Sequence, residues 1–216
     1  MKFYEWTLDI LRKKSDNNTV FFFGGTAVHA LKNRIIREGR ILPGNIIKVD
    51  GFLNHQVDTR FLAELADEFA RRFDLTGVTK ILTAEASGIA LAAICSYRYG
   101  VPMIFAKKAK SDNIEGGLYQ SEIFSYTYRK KTTLICSMER LTSEDKVLII
   151  DDFLANGQAI RGLVDIVKQS GAELLGIGIA VEKGFQHGGD GLREDGYHVE
   201  SLAIIEQADE NGFVFR

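Results

Sequence analysis

Two adjacent acids, Asp151 and Asp152, follow a run of aliphatic residues in the stretch VLIIDDFLANGQAI, residues 147–160. A turn of small and amide residues, 155–159, comes next, and a helical pattern follows it. Backbone N–H groups in such a turn, together with the N-terminus of the next helix, form a binding site for an anion, usually phosphate. The acids would repel that phosphate unless another group lay between them. A ribose meets this requirement, because its hydroxyls can donate to the carboxylates while its 5′-phosphate occupies the turn.

The turn differs from the better-known phosphate motifs. It lacks the Lys-Ser/Thr pair of a Walker A loop and does not follow the GxGxxG pattern. Its residues are Ala155, Asn156, Gly157, Gln158 and Ala159, which leave the backbone accessible to a phosphate. A simpler interpretation is that the acids only cap the next helix, but capping needs one acid rather than a pair.

Two further strand-like segments end in residues that could join this site. The segment TKILTAE leads into the tight turn of residues 85–88 and then into a helical pattern, which offers a second set of backbone donors. The apolar segment AELLGIGIAVEK ends at Lys183, where a solvated surface lysine is less expected than elsewhere. Each has a simpler interpretation: an ordinary strand–helix turn for 85–88, and a lysine whose ammonium group reaches solvent for Lys183.

Strand and helix patterns alternate along the chain and would position these segments. Helical patterns cover residues 29–39, 59–73, 87–100 and 157–171. Strand patterns cover residues 79–85, 101–108, 146–152, 172–183, 198–207 and 212–216, with a short strand within 41–58. The alternation predicts βαβ units and a mostly parallel sheet. Ligands of such sheets bind beyond the carboxyl ends of the strands, so we expect the acids, the 85–88 turn and Lys183 at one edge.

The remaining patterns predict one domain with an elaboration. Residues 121–138 alternate between apolar and polar side chains, which predicts an antiparallel hairpin around residues 129–131. The chain has two prolines, no internal repeat and no low-complexity tract that would mark a domain boundary. We therefore predict a single α/β domain over residues 28–216, to which the hairpin and residues 109–121 are added.

The first 27 residues differ from the rest, with a polar KKSDNN break followed by TVFFF. The apolar run is shorter than the roughly 7–15 residues of a signal-peptide core. Gly24-Gly25 can be encoded by GGAGGN, the sequence of a bacterial ribosome-binding site, and Val28 by a GTG start codon. We hypothesise that residues 1–27 are a leader or non-native extension. The alternative is an N-terminal arm that packs its phenylalanines on the domain.

The composition argues against several classes of partner. A net charge of −2 provides no basic field for nucleic acid. No apolar run approaches the roughly 18 residues that span a bilayer, so no membrane partner is expected. The two cysteines, Cys95 and Cys136, have no metal-ligand spacing, which excludes a structural zinc site and favours reduced thiols in a cytoplasmic protein.

The segment VLIIDDFLANGQA resembles the phosphoribosyl diphosphate (PRPP) signature of type I phosphoribosyltransferases. Together with VDGFLNHQVD, AEASGIA and GIGIAVEKGFQ, in this order and spacing, it resembles the bacterial xanthine phosphoribosyltransferases. The resemblance covers residues 28–216 and implies the type I fold, a mostly parallel central sheet flanked by helices with a flexible hood. It also implies purine salvage, in which xanthine and PRPP give xanthosine 5′-monophosphate (XMP) and pyrophosphate. Mg²⁺ would be held mainly through PRPP, with no direct protein ligand, in a cytoplasmic homodimer.

The resemblance also implies roles for individual residues. It assigns the ribose to Asp151 and Asp152 as catalytic residues, the 5′-phosphate to Ala155, Asn156, Gly157, Gln158 and Ala159, the pyrophosphate to Ala86, Ser87 and Gly88, and xanthine to Ile47, Asn54 and Lys183. The Asn54 amide can read the 2-oxo group and the adjacent ring nitrogen, and Lys183 can donate to O6 while repelling the amino group of adenine. Three lysines of the expected hood, Lys107, Lys108 and Lys110, could meet the pyrophosphate charge or simply be solvated.

Two alternatives remain open at this point. The first is the same enzyme class with another base, hypoxanthine/guanine or adenine; Lys183 argues against adenine, and the loop around Asn54 favours xanthine. The second is a non-enzymatic regulator that senses PRPP. That interpretation requires a DNA-binding appendage, and the first 28 residues show neither a helix-turn-helix pattern nor a basic stripe.

Overall fold

The structure, a computed structural model, describes residues 26–44, 46–108, 117–125 and 130–216. The strands of this part of the chain are β1 (Arg40–Leu42), β2 (Ile46–Lys48), β3 (Lys80–Ala84), β4 (Met103–Ala106), β5 (Leu118–Ser125), β6 (Lys130–Ser137), β7 (Lys146–Leu154), β8 (Glu173–Lys183), β9 (Val199–Asp209) and β10 (Gly212–Phe215). The α-helices are α1 (Ala27–Glu38), α2 (Thr59–Arg72), α3 (Gly88–Tyr99), α4 (Gln158–Ser170) and α5 (Gly188–Glu194). A π-helical turn occupies Asp50–Asn54, and 3-10 turns occupy Met138–Arg140 and Gly184–Gln186.

Six strands form the central sheet in the order β10-β9-β8-β7-β3-β4. The pairs β9–β8, β8–β7, β7–β3 and β3–β4 are parallel, and β10 joins the edge antiparallel to β9. The predicted mostly parallel sheet is therefore confirmed. Strand β7 lies inside this sheet, with β3 on one side and β8 on the other, so its carboxyl end opens between two neighbouring strand ends.

Alternate residues of β7 face two hydrophobic cores, one on each side of the sheet. Leu148 and Ile150 join the core beneath α1, α2 and α3, whereas Val147 and Ile149 join the core beneath α4 and the β5–β6 hairpin. A strand covered on both faces must be apolar at successive positions, which explains the continuous VLII run.

Helix boundaries follow from their capping residues. Asp58 caps α2, where its carboxylate accepts from Phe61 N–H at 3.2 Å. Helices α3 and α4 end at Gly100 and Gly171, which adopt positive φ angles of 70° and 73°. A residue with a side chain rarely adopts this conformation, so each glycine stops its helix and turns the chain towards the next strand.

Several predicted boundaries need correction. Strand β7 does not end at Asp152 but continues through Leu154, because Phe153 and Leu154 pair with β8. Helix α5 was not predicted; its sequence GGDGLRE holds three glycines, which disfavour a helix. The predicted hairpin is confirmed as β5–β6, in which Leu118 pairs with Ser137 and Ser125 with Lys130, while residues 126–129 lie outside the described part.

The hypothesis that residues 1–27 form a leader falls outside the described residues, apart from its last two positions. Thr26 accepts from His29 N–H at 3.3 Å as the N-cap of α1, and Ala27 is the first residue of that helix. Residues 109–116, within the expected hood, also lie outside the described part. None of the described helices combines the length and the apolar character needed to cross a membrane.

Candidate active site

Asp151 and Asp152 lie within β7, near its carboxyl end. Asp151 pairs opposite Ile179 of β8, and the side chains of the two acids are almost completely buried, with residue exposures of 5% and 2%. Burying two adjacent carboxylates is costly unless hydrogen-bond donors surround them. The neighbouring elements supply those donors.

Asp151 is held from the end of the adjacent strand β3. The Thr83 hydroxyl donates to Asp151 Oδ1 at 3.3 Å, and the Asp152 backbone N–H donates to the same oxygen at 3.1 Å. Gly88, at the start of α3, makes this approach possible. A methyl group there would lie 1.9 Å from Asp151 Oδ1 and 2.2 Å from Thr83 Oγ1. The predicted residue Gly88 is thus required for close packing against the acid.

Asp152 is held by two residues that the sequence also indicated. The Ser87 hydroxyl donates to Asp152 Oδ1 at 2.8 Å, and the Asn54 amide donates to Oδ2 at 3.2 Å. Ser87 belongs to the β3–α3 turn, and Asn54 is the last residue of the π-helical turn. The structure therefore brings three separate segments of the chain together around the acid pair.

The surroundings raise the pKa of both acids. Burial is the main cause for Asp151, whose pKa lies well above the ordinary 3.8, and the charge of Asp152 raises it further. Burial also raises the pKa of Asp152, against the opposing effect of its hydrogen bonds from Ser87 and Asn54. A ligand that donates two hydrogen bonds to this pair would therefore be strongly favoured, and a vicinal diol has that chemistry.

Residues 155–157 follow β7 and lead into α4; we call them, with Gln158 and Ala159 of the first turn of α4, the phosphate loop. Gly157 has a φ of 81°, and the Gln158 N–H donates to Asn156 Oδ1 at 3.2 Å. The positive end of the α4 dipole lies at this loop, as an anion requires. Asp151 and the loop are separated along the chain only by the last residues of β7.

The turn between β3 and α3 lies across from the phosphate loop on the neighbouring strand. Its Glu85–Ala86 peptide is cis, and the Glu85 carboxylate accepts from the Lys108 backbone N–H. The positive charge of Lys108 slightly opposes the rise in the pKa of Asp151, and the Lys108 side chain is exposed. Lys107 pairs through its backbone with Ile135 of β6, and Lys110 lies outside the described residues.

Lys183 is the last residue of β8 and lies half-buried. Its ammonium nitrogen is 5.5 Å from the centre of the Phe153 ring, and burial lowers its pKa. A half-buried cation of this kind favours a ligand that accepts a hydrogen bond and carries partial negative charge.

Ile47 differs from the other predicted residues in its surroundings. It pairs with Ile41 between β2 and β1, and its 7% exposure places its side chain in the core beneath α1, α2 and α3. Its side chain is thus grouped with core aliphatic residues rather than with the polar groups around Asp152.

Two residues that touch the site were not predicted. The sequence gives no sign of a role for Thr83, because threonine is common within strands. Its role is visible only in the structure, where it is completely buried beside Asp151. Phe153 lies beyond the predicted end of the strand at residue 152, whereas it continues β7 and its ring lies 5.5 Å from the Lys183 ammonium nitrogen. Within the described ranges, no group of three or more His, Cys, Asp or Glu side chains could hold a metal ion.

Comparison with protein families places a "Phosphoribosyl transferase domain" over residues 56–215. The "Xanthine phosphoribosyltransferase" of Ruminiclostridium cellulolyticum is 55% identical over 182 residues, which cover 84% of this chain and 95% of that protein. The protein of the same description from Lachnoclostridium phytofermentans is 51% identical over 188 residues, 86% of this chain and 97% of its own length.

Solved structures with the same fold are more distant in sequence. The adenine phosphoribosyltransferase of Giardia lamblia, complexed with 9-deazaadenine, matches with a TM-score of 0.68 at 18% identity, covering 82% of this chain and 98% of that one. The adenine phosphoribosyl transferase of Trypanosoma brucei, in complex with AMP, pyrophosphate and ribose-5-phosphate, matches with a TM-score of 0.67 at 21% identity. The match covers 84% of this chain and 83% of that one. At these identities the likeness establishes the fold alone.

Proposed function

The chain belongs to the xanthine phosphoribosyltransferases, within the phosphoribosyl transferase domain family, and we propose that its site joins xanthine to the ribose of PRPP through the residues described above. The reaction forms XMP, releases pyrophosphate and serves purine salvage. The observation that carries the assignment of the site is the buried acid pair, Asp151 and Asp152, beside a loop at a helix N-terminus.

The acid pair would bind the ribose and the phosphate loop would bind the 5′-phosphate. One of the 2′- and 3′-hydroxyls can take the place of Ser87 at Asp152, and the other can donate to Asp151. Backbone N–H groups of residues 155–159 then neutralise the phosphate without a lysine. The acids and the loop together fix the ribose ring between them, which orients its anomeric carbon towards the base.

Pyrophosphate would lie at the β3–α3 turn, where Ala86, Ser87 and Gly88 open helix α3. Ser87 is bound to Asp152 before substrate arrives, so ribose binding would release its hydroxyl for the leaving group. Lys108, whose backbone N–H donates to Glu85 of this turn, adds positive charge on this side. Charge that develops on the departing pyrophosphate would be stabilised there by groups already in place.

Xanthine would be read by Asn54 and Lys183 from two sides. Lys183, half-buried beside Phe153, can donate to O6, which adenine lacks. The Asn54 amide can donate a hydrogen bond to the 2-oxo group, which hypoxanthine lacks. A site that hydrogen-bonds such a group discriminates against a base without it. Ile47, buried in the core, would support this pocket through its backbone or its apolar surface.

The residues present fit a magnesium ion that arrives with PRPP. Phosphate oxygens and water are ligands that Mg²⁺ prefers, and PRPP supplies phosphate oxygens without a protein cluster. When bound, the ion would neutralise charge on the leaving pyrophosphate. Its ligands would be PRPP oxygens and water, with no direct protein ligand, while Asp151 and Asp152 hold the ribose.

The chemistry needs no covalent intermediate with the protein. The bond between the anomeric carbon and pyrophosphate breaks, and positive charge develops on the ribose as in other glycosyl transfers. A ring nitrogen of xanthine forms the new bond to that carbon, and the proton that this nitrogen carried is released to solvent. The contribution of the chain is to hold both partners in line and to place negative charge beside the ribose. Asp151 and Asp152 supply that charge in their ionised forms.

We also propose that the protein acts in the cytoplasm as a homodimer, as the resemblance to its family implies. The state of its thiols supports a reducing compartment. Burial raises the pKa of Cys95 to about 12 and of Cys136 to about 11, so neither thiol is prepared for disulfide exchange.

The test is product formation with PRPP and magnesium, comparing xanthine, guanine, hypoxanthine and adenine at equal concentration. We expect xanthine to be preferred by about 100-fold or more in kcat/KM, roughly 2.7 kcal/mol. Asn54→Ala and Lys183→Met should lower that preference, whereas Asn33→Ala, a change at an exposed position of α1, should leave it unaltered.

The other outcomes separate the alternatives. Preference for a different base would retain the enzyme class and overturn the base pocket assigned to Asn54 and Lys183. Turnover of no base, with PRPP still bound, would identify a sensor rather than an enzyme.

A further inference from the structure

Helix α5 begins in direct contact with the phosphate loop. A methyl group on Gly188 would lie 2.2 Å from the Ala155 carbonyl oxygen and 2.5 Å from the Gly157 nitrogen. From the other side, a methyl group on Gly157 would lie 3.2 Å from the Gly188 carbonyl oxygen. Two stretches of backbone therefore touch with no side chain between them, and the position of one sets the position of the other.

The next glycine contacts a buried carboxylate. A methyl group on Gly189 would lie 2.2 Å from Glu182 Oε1, and Glu182 is fully buried. The two-glycine start of α5 thus fits between the phosphate loop and the Glu182 side chain. Neither the contact of Gly188 with the phosphate loop nor the contact of Gly189 with Glu182 leaves space for another carbon atom.

Arg193, from the other end of α5, neutralises this carboxylate. Its guanidinium donates to both Glu182 oxygens, from NH2 at 2.7 Å and from NH1 at 3.1 Å. The Ser201 hydroxyl of β9 also donates to Glu182 Oε2. A two-point contact between an arginine and a carboxylate fixes orientation as well as distance, so α5 is clamped at both ends.

Glu182 lies at a position that links both ligand subsites. In the sheet it pairs with Leu154, the residue directly before the phosphate loop, and along the chain it directly precedes Lys183. A shift of the Glu182 side chain or of α5 would therefore displace both the phosphate loop and Lys183.

We propose that Gly188, Gly189 and the buried ion pair of Glu182 with Arg193 form a positioning wedge that holds the phosphate loop and Lys183 at the spacing their ligands require. This inference rests on the proposed function of the loop and of Lys183. The residues of the wedge are positioning residues and touch no substrate.

The energetics of the pair favour this role over a purely stabilising one. Taking the Glu182 carboxylate and part of Arg193, which is 29% exposed, out of water offsets much of what their attraction contributes, so an apolar pair of similar volume could fill the same space at little cost in stability. A directional, two-point ion pair, in contrast, holds one geometry. That property matters where a small displacement of a ligand-binding loop lowers the rate.

The experiment uses three Gly→Ala changes within α5 of the full-length protein. Gly188→Ala forces a displacement of about 1 Å of the loop backbone, which is expected to lower kcat/KM for PRPP by roughly 100-fold. The KM for xanthine should stay near the wild-type value. Gly189→Ala displaces the Glu182 carboxylate and should raise the KM values for both PRPP and xanthine.

Gly191→Ala is the matched control. It lies in the same helix and undergoes the same change, but its new methyl group would meet only Arg161 NH2, the mobile end of a long side chain, at 3.3 Å. We expect its kinetic constants to equal those of the wild type. Thermal melts of all three variants will be used to check that each is folded.

An arginine pair provides a second comparison that does not depend on glycine. Arg193→Lys keeps the charge but loses the two-point contact with buried Glu182, and should raise the KM for PRPP at least several-fold. Arg161→Lys makes the same change where the partner, Asp195, is exposed, and should have no effect.

The outcomes separate this inference from the proposed function. Wild-type protein that neither converts purines nor binds PRPP would overturn both. If the wild type is active but Gly188→Ala matches Gly191→Ala, and Arg193→Lys matches Arg161→Lys, only the wedge is wrong. A loss confined to PRPP in Gly188→Ala and shared by xanthine in Gly189→Ala supports it.

Discussion

At the scale of single residues, the buried acid pair lowers the stability of the fold in the ionised form that the function needs. A carboxyl group whose pKa is raised by folding binds its proton more tightly in the folded state than in the unfolded state. As pH rises from 3.8 through the raised pKa of Asp151, the unfolded state releases its proton first, so stability falls over that interval. The ionised pair that the function needs therefore lowers the stability of the folded protein.

Asp151→Asn should therefore raise stability and abolish activity. The amide keeps an oxygen for the Thr83 hydroxyl but removes the buried charge, so Tm at pH 7 should increase by about 2–4 °C for each 1 kcal/mol regained. Its Tm should also vary less between pH 4 and pH 7 than that of the wild type. Calorimetry over this range and the rate of XMP formation are the measurements.

Asp190→Asn is the control, because folding lowers the pKa of Asp190 whereas it raises the pKa of Asp151. Its hydrogen bond from Arg216 lowers the pKa of Asp190 to about 2, so its ionised form stabilises the fold above the ordinary pKa of 3.8. Removing this charge should lower Tm at pH 7. A decrease in Tm for Asp151→Asn as well would show that the acid pair stabilises the protein and would contradict the interpretation.

The sequence indicated most of the candidate site but not its fine structure. Asp151, Asp152 and Ser87 could be found because each stands near the end of an apolar run, where a parallel sheet presents polar groups to ligands. Thr83 could not, since nothing in the sequence tells that its hydroxyl would face Asp151 across two strands. The contact of Asn54 with Asp152 spans 98 positions and equally required the folded chain.

At the scale of elements, periodicity predicted the main helices and strands, and tertiary contacts decided the rest. Strand β7 runs two residues beyond the acids because β8 offers it pairing partners, which local sequence cannot show. Helix α5 forms despite its glycines because it fills a gap between the phosphate loop and Glu182 that only glycines fit. Here packing overrode propensity.

The contact of the β5–β6 hairpin with α4 is the basis of the next prediction. A methyl group on Gly162 of α4 would lie 2.6 Å from Ile123 Cγ2 and 2.9 Å from Leu134 Cδ1. Gly162→Ala should destabilise the protein by about 1 kcal/mol, because overpacking costs about 1–3 kcal/mol and the gain in helix propensity offsets about 1. Denaturant unfolding measures the difference.

The matched test is a double-mutant cycle with Ile123→Ala, which removes the atom nearest to the new methyl group. The double variant should be less destabilised than the sum of the two single changes, by at least about 0.5 kcal/mol. Additive effects would mean that the hairpin moves freely against α4 rather than being packed on it.

At the scale of the whole molecule, Arg216 joins elements that are distant in sequence. Its side chain pairs with Asp190 of α5 and with Glu206 of β9, and its backbone carbonyl accepts from Lys32 of α1 at 2.8 Å. These contacts gather α1, α5 and the edge of the sheet around one residue. They are partly exposed, so solvent screening limits each pair to about 1 kcal/mol or less.

Arg216→Met should lower Tm at pH 7 by about 2–4 °C. Because the pKa of Asp190 lies at about 2, its contribution is complete above the ordinary pKa of 3.8 and is lost as the pH falls towards 2. The difference in unfolding free energy between variant and wild type should therefore be smaller at pH 3 than at pH 7. An equal difference at both values would mean that Asp190 is not the partner that matters.

The position of β7 inside the sheet has a consequence for how the protein loses its activity. Its acids belong to a strand with a neighbour on each side, so no local opening of a loop or of an edge strand can remove them. The hydrogen-bonded amides around them would exchange with solvent only when the entire domain opens. In denaturant the capacity to bind ribose 5-phosphate should therefore disappear only when the fold itself is lost.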